Sequence, residues 1–374
     1  MNARAFPSLA AVEQARARHI AIIFHDFAGG GTERVMVRLA NAWAERGRLV
    51  TILCGSENGP TRALVGPHVR VREMRPAIPR GPGSRRNLGR AVAAALPGMG
   101  ADVLVGPGNF HLPVLAAIGR SPVPMVCKLS NPVDRCGRGL TRTLFFAWRM
   151  RRRCGRLAAL IAMSPALARE ARPVVGRTPL LCVGEPNVED DAVARLRRPS
   201  RHAPRILCAG RLVAQKRVEL AIRAFAALDR PEARLTIAGD GPERGKLEAL
   251  ARSLGLAGRI RFAGHVPDIA PLLEESDLLL STSLFEGYPA VLVEAIAAGV
   301  PVVTTPSTPA LPEILVHPSF GRIAAPEPEA LAAAVLAAAE APGPEEAPLA
   351  AFLDRHRRSA SAEAWLAVLD GVVA

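Results

Sequence analysis

Short apolar runs alternate along this chain with longer amphipathic stretches, and single Gly or Pro residues punctuate the joins. The first run, 20–24, reads as a strand. A Gly29-Gly30-Gly31 turn follows, and Thr32 stands where a helix cap is wanted ahead of Val35, Val37, Leu39, Ala40 and Trp43. That helix ends near Gly47, and 49–54 forms the next strand, which makes a βαβ opening. Further strands are expected at 103–105, 124–129, 158–163 and 180–183, then a turn at 184–187 and a polar, basic, Pro-bounded linker over 194–204. The second half repeats the alternation. It has strands at 206–209, 234–238, 260–263, 278–281 and 301–305, with helices at 218–228, 243–254, 271–275 and 289–298. Successive strands lie too far apart for hairpins, so helical crossovers and parallel pairing follow. The expectation is two doubly wound, Rossmann-like α/β domains facing each other: 1–187, 188–350, and an amphipathic helix in 351–374 packing back toward the first domain.

Length agrees, since 374 residues are too many for one ordinary core and suit two. No apolar stretch reaches the roughly 18 residues needed to cross a bilayer. The most promising, 101–119, is interrupted by Pro107, Asn109, His111 and Pro113. Arg4, Glu13, Arg16 and Arg18 break up the N-terminus, so it lacks a signal-peptide core. The six cysteines show no CxxC spacing and lie in or beside apolar runs, which favours buried thiols in a reducing cytoplasm over a metal site. The net charge of +14 is unevenly placed. Residues 1–187 hold 28 Lys+Arg against 10 Asp+Glu, whereas the remainder hold 20 against 24. The first half is therefore expected to face something anionic.

Open α/β sheets bind ligands at the carboxyl ends of their strands. In the segment 210–217, Arg211 and Lys216 leave one strand end and can reach a single diphosphate, Arg211 by chelation and Lys216 as a point charge. Alone, the segment equally suits a solvated basic loop. In Gly239-Asp240-Gly241-Pro242-Glu243, Asp240 is expected to cap the helix that Pro242 begins. The backbone at His265 and Val266 can meet a nucleobase edge, while a lone histidine there more often has only a structural duty. Pro289 suits the first helical position, and the free N–H groups of such a helix end stabilise an anion. Glu286 precedes that helix and Glu294 lies two turns in; eight residues at about 100° each put them roughly 80° apart around the axis, near enough to line one wall. Glu294, amid Val291, Leu292, Val293, Ala295 and Ile296, needs a polar partner such as ribose hydroxyls.

Glu286-x7-Glu294, preceded by Gly210-Arg211-Leu212, Lys216 and the Gly239–Glu243 turn, resembles the retaining glycosyltransferases of family 4, which have the GT-B fold. The Gly29–Val35 segment and Pro186-Asn187-Val188 fit as well, so the resemblance covers nearly the whole chain. It implies a hexosyltransferase-type enzyme that moves a sugar from a UDP- or GDP-linked donor to a glycan or lipid-linked cell-envelope acceptor. Arg211 and Lys216 then neutralise the diphosphate, and Glu286 touches sugar hydroxyls. N–H groups from Tyr288 through Pro289, Ala290 and Val291 hold the phosphates, and Gly210 and Gly287 belong to the same donor-binding set. Glu294 takes the ribose, and Gly30 and Gly31 approach the donor from across the cleft. No cofactor is implied. No DxD metal motif appears, and the cationic pair replaces a metal electrostatically.

Two segments depart from that pattern. Where the family often carries a histidine after the 124–129 strand, this chain has Ser130 and Asn131, the candidate acceptor-side residues. The usual Gly-rich turn before Glu313 is Pro306-Ser307-Thr308-Pro309-Ala310-Leu311-Pro312. Phe145, Phe146 and Trp148 among Arg149 and Arg151–Arg153, with Arg80, Arg85, Arg86 and Arg90, suggest docking on anionic lipid at the inner face of the membrane; a solvated Arg-rich face is the alternative. A GT-B epimerase or phosphorylase remains open. A nucleic-acid binder leaves the Glu286/Glu294 pair unexplained, and Arg34 spoils a dinucleotide fingerprint begun by Gly29-x-Gly31.

Overall fold

The computed structural model describes residues 16–132, 140–194 and 203–373, with side chains at 140–143 left undescribed. Arg4, Glu13, Cys136 and most of the expected linker lie outside those residues. The chain divides into two units, one from residues 1–186 and 358–374, the other from residues 187–357.

The first unit contains β1 (His19–Phe24), α1 (Gly31–Glu45), β2 (Leu49–Cys54), β3 (Val69–Glu73), α2 (Ser84–Ala95) and β4 (Val103–Gly106). It continues with α3 (Leu112–Ile118), β5 (Met125–Leu129), α4 (Leu140–Cys154), β6 (Ala159–Ala162), α5 (Pro165–Val175) and β7 (Leu180–Cys182). Its sheet has the order β3-β2-β1-β4-β5-β6-β7, and its strand pairs are parallel. Both faces are covered, which is why β1 is apolar at every position after His19. Ile20, Ile22 and Phe24 pack with α1, while Ala21 and Ile23 pack with α2 and α3.

The second unit contains β8 (Arg205–Ala209), α6 (Val218–Ala226), β9 (Arg234–Ala238), α7 (Arg244–Ser253), β10 (Ile260–Gly264), α8 (Ala270–Glu274) and β11 (Leu278–Ser281). Then come α9 (Ala290–Ala297), β12 (Val302–Thr304), α10 (Leu311–Ile314), β13 (Gly321–Ile323), α11 (Pro328–Glu340) and α12 (Glu346–His356). Its parallel sheet runs β10-β9-β8-β11-β12-β13. Here Ile206 and Cys208 face α6 and α11, and Leu207 faces α9 and α12.

The expected single C-terminal helix is two. Leu349, Phe352 and Leu353 of α12 enter the second unit's core. The chain then turns extended at Arg357 and forms α13 (Arg358–Val372), whose Trp365, Leu366 and Leu369 join the first unit's core. Trp365 lies 5.8 Å from Trp43 of α1. Asp370 receives Arg48 through both carboxylate oxygens at 2.9 and 2.8 Å, and accepts from the backbone N–H groups of Arg16 and Ala17. A two-oxygen guanidinium clamp of this kind holds orientation as well as charge.

Two strands escape the apolar-run criterion. β3 carries Arg70, Arg72 and Glu73 on a sheet edge, where charge discourages edge pairing, and β13 is only three residues long. Thr32 is not the cap of α1. Gly30 occupies that position, without a side-chain cap bond, and Thr32 is the second helical residue. Among the described residues no helix is long and apolar enough to cross a membrane. Cys54, Cys127, Cys154 and Cys208 are buried free thiols, and Cys182 is half-buried.

Candidate functional site

In the second sheet the chain passes from β8 outward to β9 and β10, then returns to place β11 on β8's other side. This reversal opens a crevice at the strands' carboxyl ends, the position at which such sheets bind ligands. The loops after β8 and β11 meet there. Leu284 N–H donates to the Gln215 carbonyl at 2.8 Å, and Gln215 Nε2 donates to the Phe285 carbonyl at 2.8 Å. The Thr282 hydroxyl donates to the carbonyls of Lys216 and Arg217 at 3.1 and 2.9 Å. Arg217 holds φ 48°, a left-handed conformation that a side chain normally avoids, and so turns the chain sharply into α6. Strain of this sort persists where surrounding bonds over-determine it.

That lacing aims Lys216 at Glu286. Their Nζ and Oε1 atoms lie 2.5 Å apart, with the two side chains only 20% and 12% exposed. Gly210 leaves room for the lysine stem, since a Cβ there would sit 3.3 Å from Lys216 Cε, and its φ of 152° disfavours a side chain anyway. Glu286 N–H donates to the Ser307 carbonyl at 2.8 Å, and the Thr308 hydroxyl donates to the Gly287 carbonyl at 2.7 Å. The unusual Pro306–Pro312 turn therefore buttresses the Glu286 loop.

Arg211 does not join the ion pair. It is exposed and has no carboxylate partner among the described residues. Asp240 does not cap α7, which starts at Arg244 with Glu243 in the cap position; its Oδ1 accepts from Gly241 N–H at 2.7 Å. The two glycines beside it serve close approach. A Cβ on Gly239 would lie 1.9 Å from the Gly210 carbonyl oxygen, and one on Gly241 2.4 Å from that of Leu212. Gly239 N–H also donates to the Gly264 carbonyl at 2.7 Å, which brings the half-buried Val266 and exposed His265 alongside these loops.

Pro289 is the cap of α9 rather than its first residue, and no acidic side chain occupies the first turn. Pro289 has no N–H, so the donors expected over Tyr288–Val291 reduce to Tyr288, Ala290 and Val291. The last two have no intrahelical acceptor. Tyr288 uses its hydroxyl on His356 Nε2 at 2.8 Å. Glu286 precedes α9, so the eight-residue spacing is not an angle around one helix; only the half-buried Glu294 is helical. Among the described residues no group of three or more His, Cys, Asp or Glu is arranged to hold a metal ion.

The first unit has its own reversal, between β1 and β4. Gly30 and Gly31 stand at its rim, where the Glu33 carboxylate folds back to within 2.6 Å of a Cβ placed on Gly30. Ser130 N–H donates to Asn109 Oδ1 at 2.8 Å, and Asn109 Nδ2 donates to the Asn131 carbonyl at 2.9 Å. Gly108 fits against Ser130 and Thr32. The structure thus gathers the glycine turn, the β4 loop and the two candidate acceptor-side residues. It adds residues to which sequence reasoning gave no role here: His25, Asp26, Glu33, Phe110 and His111. Arg80 pairs with Asp26 and, at 3.3 Å, with Glu33. Arg80 and Arg85 each lie 4.7 Å from the Phe110 ring. Their carboxylates respond oppositely. Burial pushes Glu33 up; for Asp26 burial is the largest single influence, but the Arg80 bond and charge together draw it down. The one available signal was a His-Asp pair directly after a strand.

His25 is buried, and desolvation lowers its pKa. His111 is 1% exposed, neither ring nitrogen has a hydrogen-bond partner among the described residues, and burial pushes its pKa down to about 3. His356 is pushed down to about 4, again mainly by burial. An unfolded chain holds histidine near 6.5, so below that pH the unfolded state binds protons first. The stabilisation is complete above about 6.5 and is lost progressively as pH falls toward the folded values of about 3 and 4. Urea midpoints are expected to fall between pH 7 and 4, with a shallower fall in His111→Gln. An identical pH slope in that variant would contradict the assignment.

Residues 30–183 match the glycosyl transferase 4-like domain, and residues 195–350 match the glycosyl transferases group 1 family. The lipopolysaccharide core biosynthesis glycosyltransferase LpsE of Rhizobium meliloti (strain 1021) is 40% identical over 114 residues, 30% of this chain and 33% of that protein. The GDP-mannose-dependent alpha-(1-6)-phosphatidylinositol dimannoside mannosyltransferase of Mycobacterium tuberculosis (strain ATCC 25177 / H37Ra) is 36% identical over 154 residues, 40% of this chain and 36% of that protein. The chain thus spans about a third of the length of these relatives. The crystal structure of Anabaena Alr3699/HepE in complex with UDP and glucose superposes with a TM-score of 0.69, covering 95% of this chain and 97% of that one. At 19% identity that likeness speaks for the fold. With a 4-like domain in its first unit and a group 1 domain in its second, the chain belongs to the glycosyltransferases of GT-B fold.

Proposed function

We propose that this protein transfers a sugar from a nucleoside-diphosphate donor to a cell-envelope acceptor, with retention of configuration and without a metal ion. The observation that carries the reading is the Lys216–Glu286 pair, 2.5 Å apart at the sheet reversal beside the N-terminal end of α9. In the reaction the bond from the anomeric carbon to the diphosphate breaks, and its electron pair leaves on the phosphate oxygen. A bond to the acceptor oxygen forms, and the acceptor proton is released. The chain's task is to stabilise the charge that grows on the diphosphate.

Lys216 retains N–H donors beyond the one given to Glu286, and Arg211, exposed at the same strand end, has no carboxylate partner among the described residues. Backbone N–H groups of Ala290 and Val291 add the helix dipole. Fixed cations and helix donors take the place a metal occupies in other phosphate chemistry. Glu286 then has two duties, holding the ammonium in position and meeting a sugar hydroxyl. Glu294 faces the ribose, and the backbone at His265 and Val266 faces the base. Ser130, Asn131 and the Phe110 loop form the acceptor side, and the basic first unit works against an anionic membrane surface. LpsE and the mannosyltransferase, as their names state, act in lipopolysaccharide core synthesis and on a phosphatidylinositol glycolipid. Those names support an envelope acceptor.

Thermal-shift titration with UDP, GDP, ADP and their sugars tests the donor site. One nucleoside diphosphate is expected to raise the melting temperature of the wild type but not of Lys216→Ala. No response to any of them sinks the reading. Turnover is expected to persist in EDTA and to require acceptor, with the product retaining the donor's anomeric configuration by NMR. Donor conversion without acceptor would identify an epimerase instead.

A further inference from the structure

A second cation cluster borders the Phe110 loop on the first unit and reaches from there to α4. The loop 81–83, the start of α2 and the flank of α4 line an open cavity of about 510 Å³ whose wall carries Arg85, Arg86, Arg149 and Arg153, with Pro113 and Ala117 among its other lining residues. None of the four arginines pairs with a carboxylate among the described residues. Arg85 and Arg86 occupy the first turn of α2, which contains no acidic residue. Positive side chains at a helix N-terminus oppose the helix dipole, so this arrangement is unfavourable until an anion arrives. Arg85 is already oriented by stacking on Phe110. Burial and the neighbouring charges of Arg149 and Arg85 also depress the Arg153 pKa, which marks like charges held together.

The same helix continues the surface outward. At about 100° per residue, Leu144, Trp148, Arg152, Phe145, Arg149 and Arg153 follow one another around half the circumference of α4. Its opposite face, with Met150 and Cys154, is in the core. Leu144, Phe145 and Trp148 are 62%, 61% and 54% exposed, and Phe145 stacks on Trp148 at 5.8 Å. An apolar, aromatic arc grading into unpaired arginines has the chemistry of a lipid interface.

We propose that this cavity binds the phosphate of an anionic phospholipid, held by Arg85, Arg86, Arg149 and Arg153, while Leu144, Phe145 and Trp148 enter the acyl boundary. The inference rests on the membrane-surface reading above for the source of the phosphate and makes it specific: one pocket, rather than the general positive charge of the unit, selects the lipid.

The test is sedimentation of the full chain with vesicles of phosphatidylcholine alone or mixed with phosphatidylglycerol. Three proteins are compared: wild type, Arg86→Gln/Arg149→Gln in the pocket, and Arg70→Gln/Arg72→Gln, which removes the same charge from exposed positions on β3. Wild type is expected to partition onto the anionic vesicles. The pocket variant is expected to lose about tenfold or more, and the β3 variant little. Trp148→Ala is expected to weaken partition while leaving the thermal shift with inorganic pyrophosphate unchanged. Equal losses in both double variants would overturn the pocket and leave the membrane reading standing. Wild type that ignores anionic vesicles would overturn both. Protection by pyrophosphate, abolished in the pocket variant, without vesicle binding would assign the pocket to a soluble phosphate and overturn the lipid.

Discussion

Lys216→Ala is expected to lower kcat about a hundredfold or more, the usual scale for removing one preorganised stabiliser of developing charge. The structure sharpens the reason. The Glu286 side chain is only 12% exposed and has Lys216 as its counter-ion at 2.5 Å. Truncation removes a cation from the diphosphate and also leaves a carboxylate facing it. Two negative groups would then meet where one was neutralised. Glu286→Gln separates these effects, because it keeps the ammonium and removes its anchor. That variant is expected to lose less than Lys216→Ala, and Lys216→Ala/Glu286→Gln to regain part of the loss. Single-turnover assays at saturating donor make the comparison, and near-normal turnover in Lys216→Ala would contradict the donor-site assignment.

The second large effect concerns stability. Lys128→Ala is expected to destabilise the first unit by about 3–5 kcal/mol, the scale for breaking a buried ion pair by removing one partner. Lys128 on β5 is 1% exposed and pairs with Glu185, whose side chain is 6% exposed, just beyond β7. Neither group reaches water, so the survivor is left as an uncompensated buried charge. Against a total stability of about 5–15 kcal/mol that is a large share. Lys128→Met/Glu185→Leu is expected to recover most of it, since an apolar pair of similar volume carries no desolvation cost. The chain's three tryptophans, Trp43, Trp148 and Trp365, all belong to the first unit, so urea unfolding followed by their fluorescence reads that unit directly. A loss under about 1 kcal/mol in Lys128→Ala would place the pair in the class of surface ion pairs.

Lys128 also shows what a strand pattern hides. It lies inside the expected 124–129 strand, where a lone cation among Val126, Cys127 and Leu129 gives no sign of its partner. Its partner is 57 residues away and meets it only because β6 lies between β5 and β7. His25 and His111 were equally quiet in the sequence. One followed a strand and the other merely interrupted an apolar run, yet the β1–β4 reversal brings His25 against Phe110, the chain neighbour of His111. The expected roles of Thr32 and Asp240 as caps failed for a related reason. A cap is decided by where the helix starts: the cap of α1 is Gly30, two residues before Thr32, and that of α7 is Glu243, three residues after Asp240.

The sequence by itself determined the two parallel-sheet units, because doubly covered strands need unbroken apolar runs and their crossovers need amphipathic helices. It also carried the concentration of positive charge in the first half, and the glycines at 239 and 241 that crossing backbones demand. Tertiary structure alone decided that Lys216 meets Glu286 while Arg211 stays outside, that α12 and α13 separate between units, and that four arginines share one cavity. Those outcomes depend on strand order and on loops from distant segments. Periodicity is local, and which loops become neighbours is set only when the sheet reverses direction and its strands close side by side.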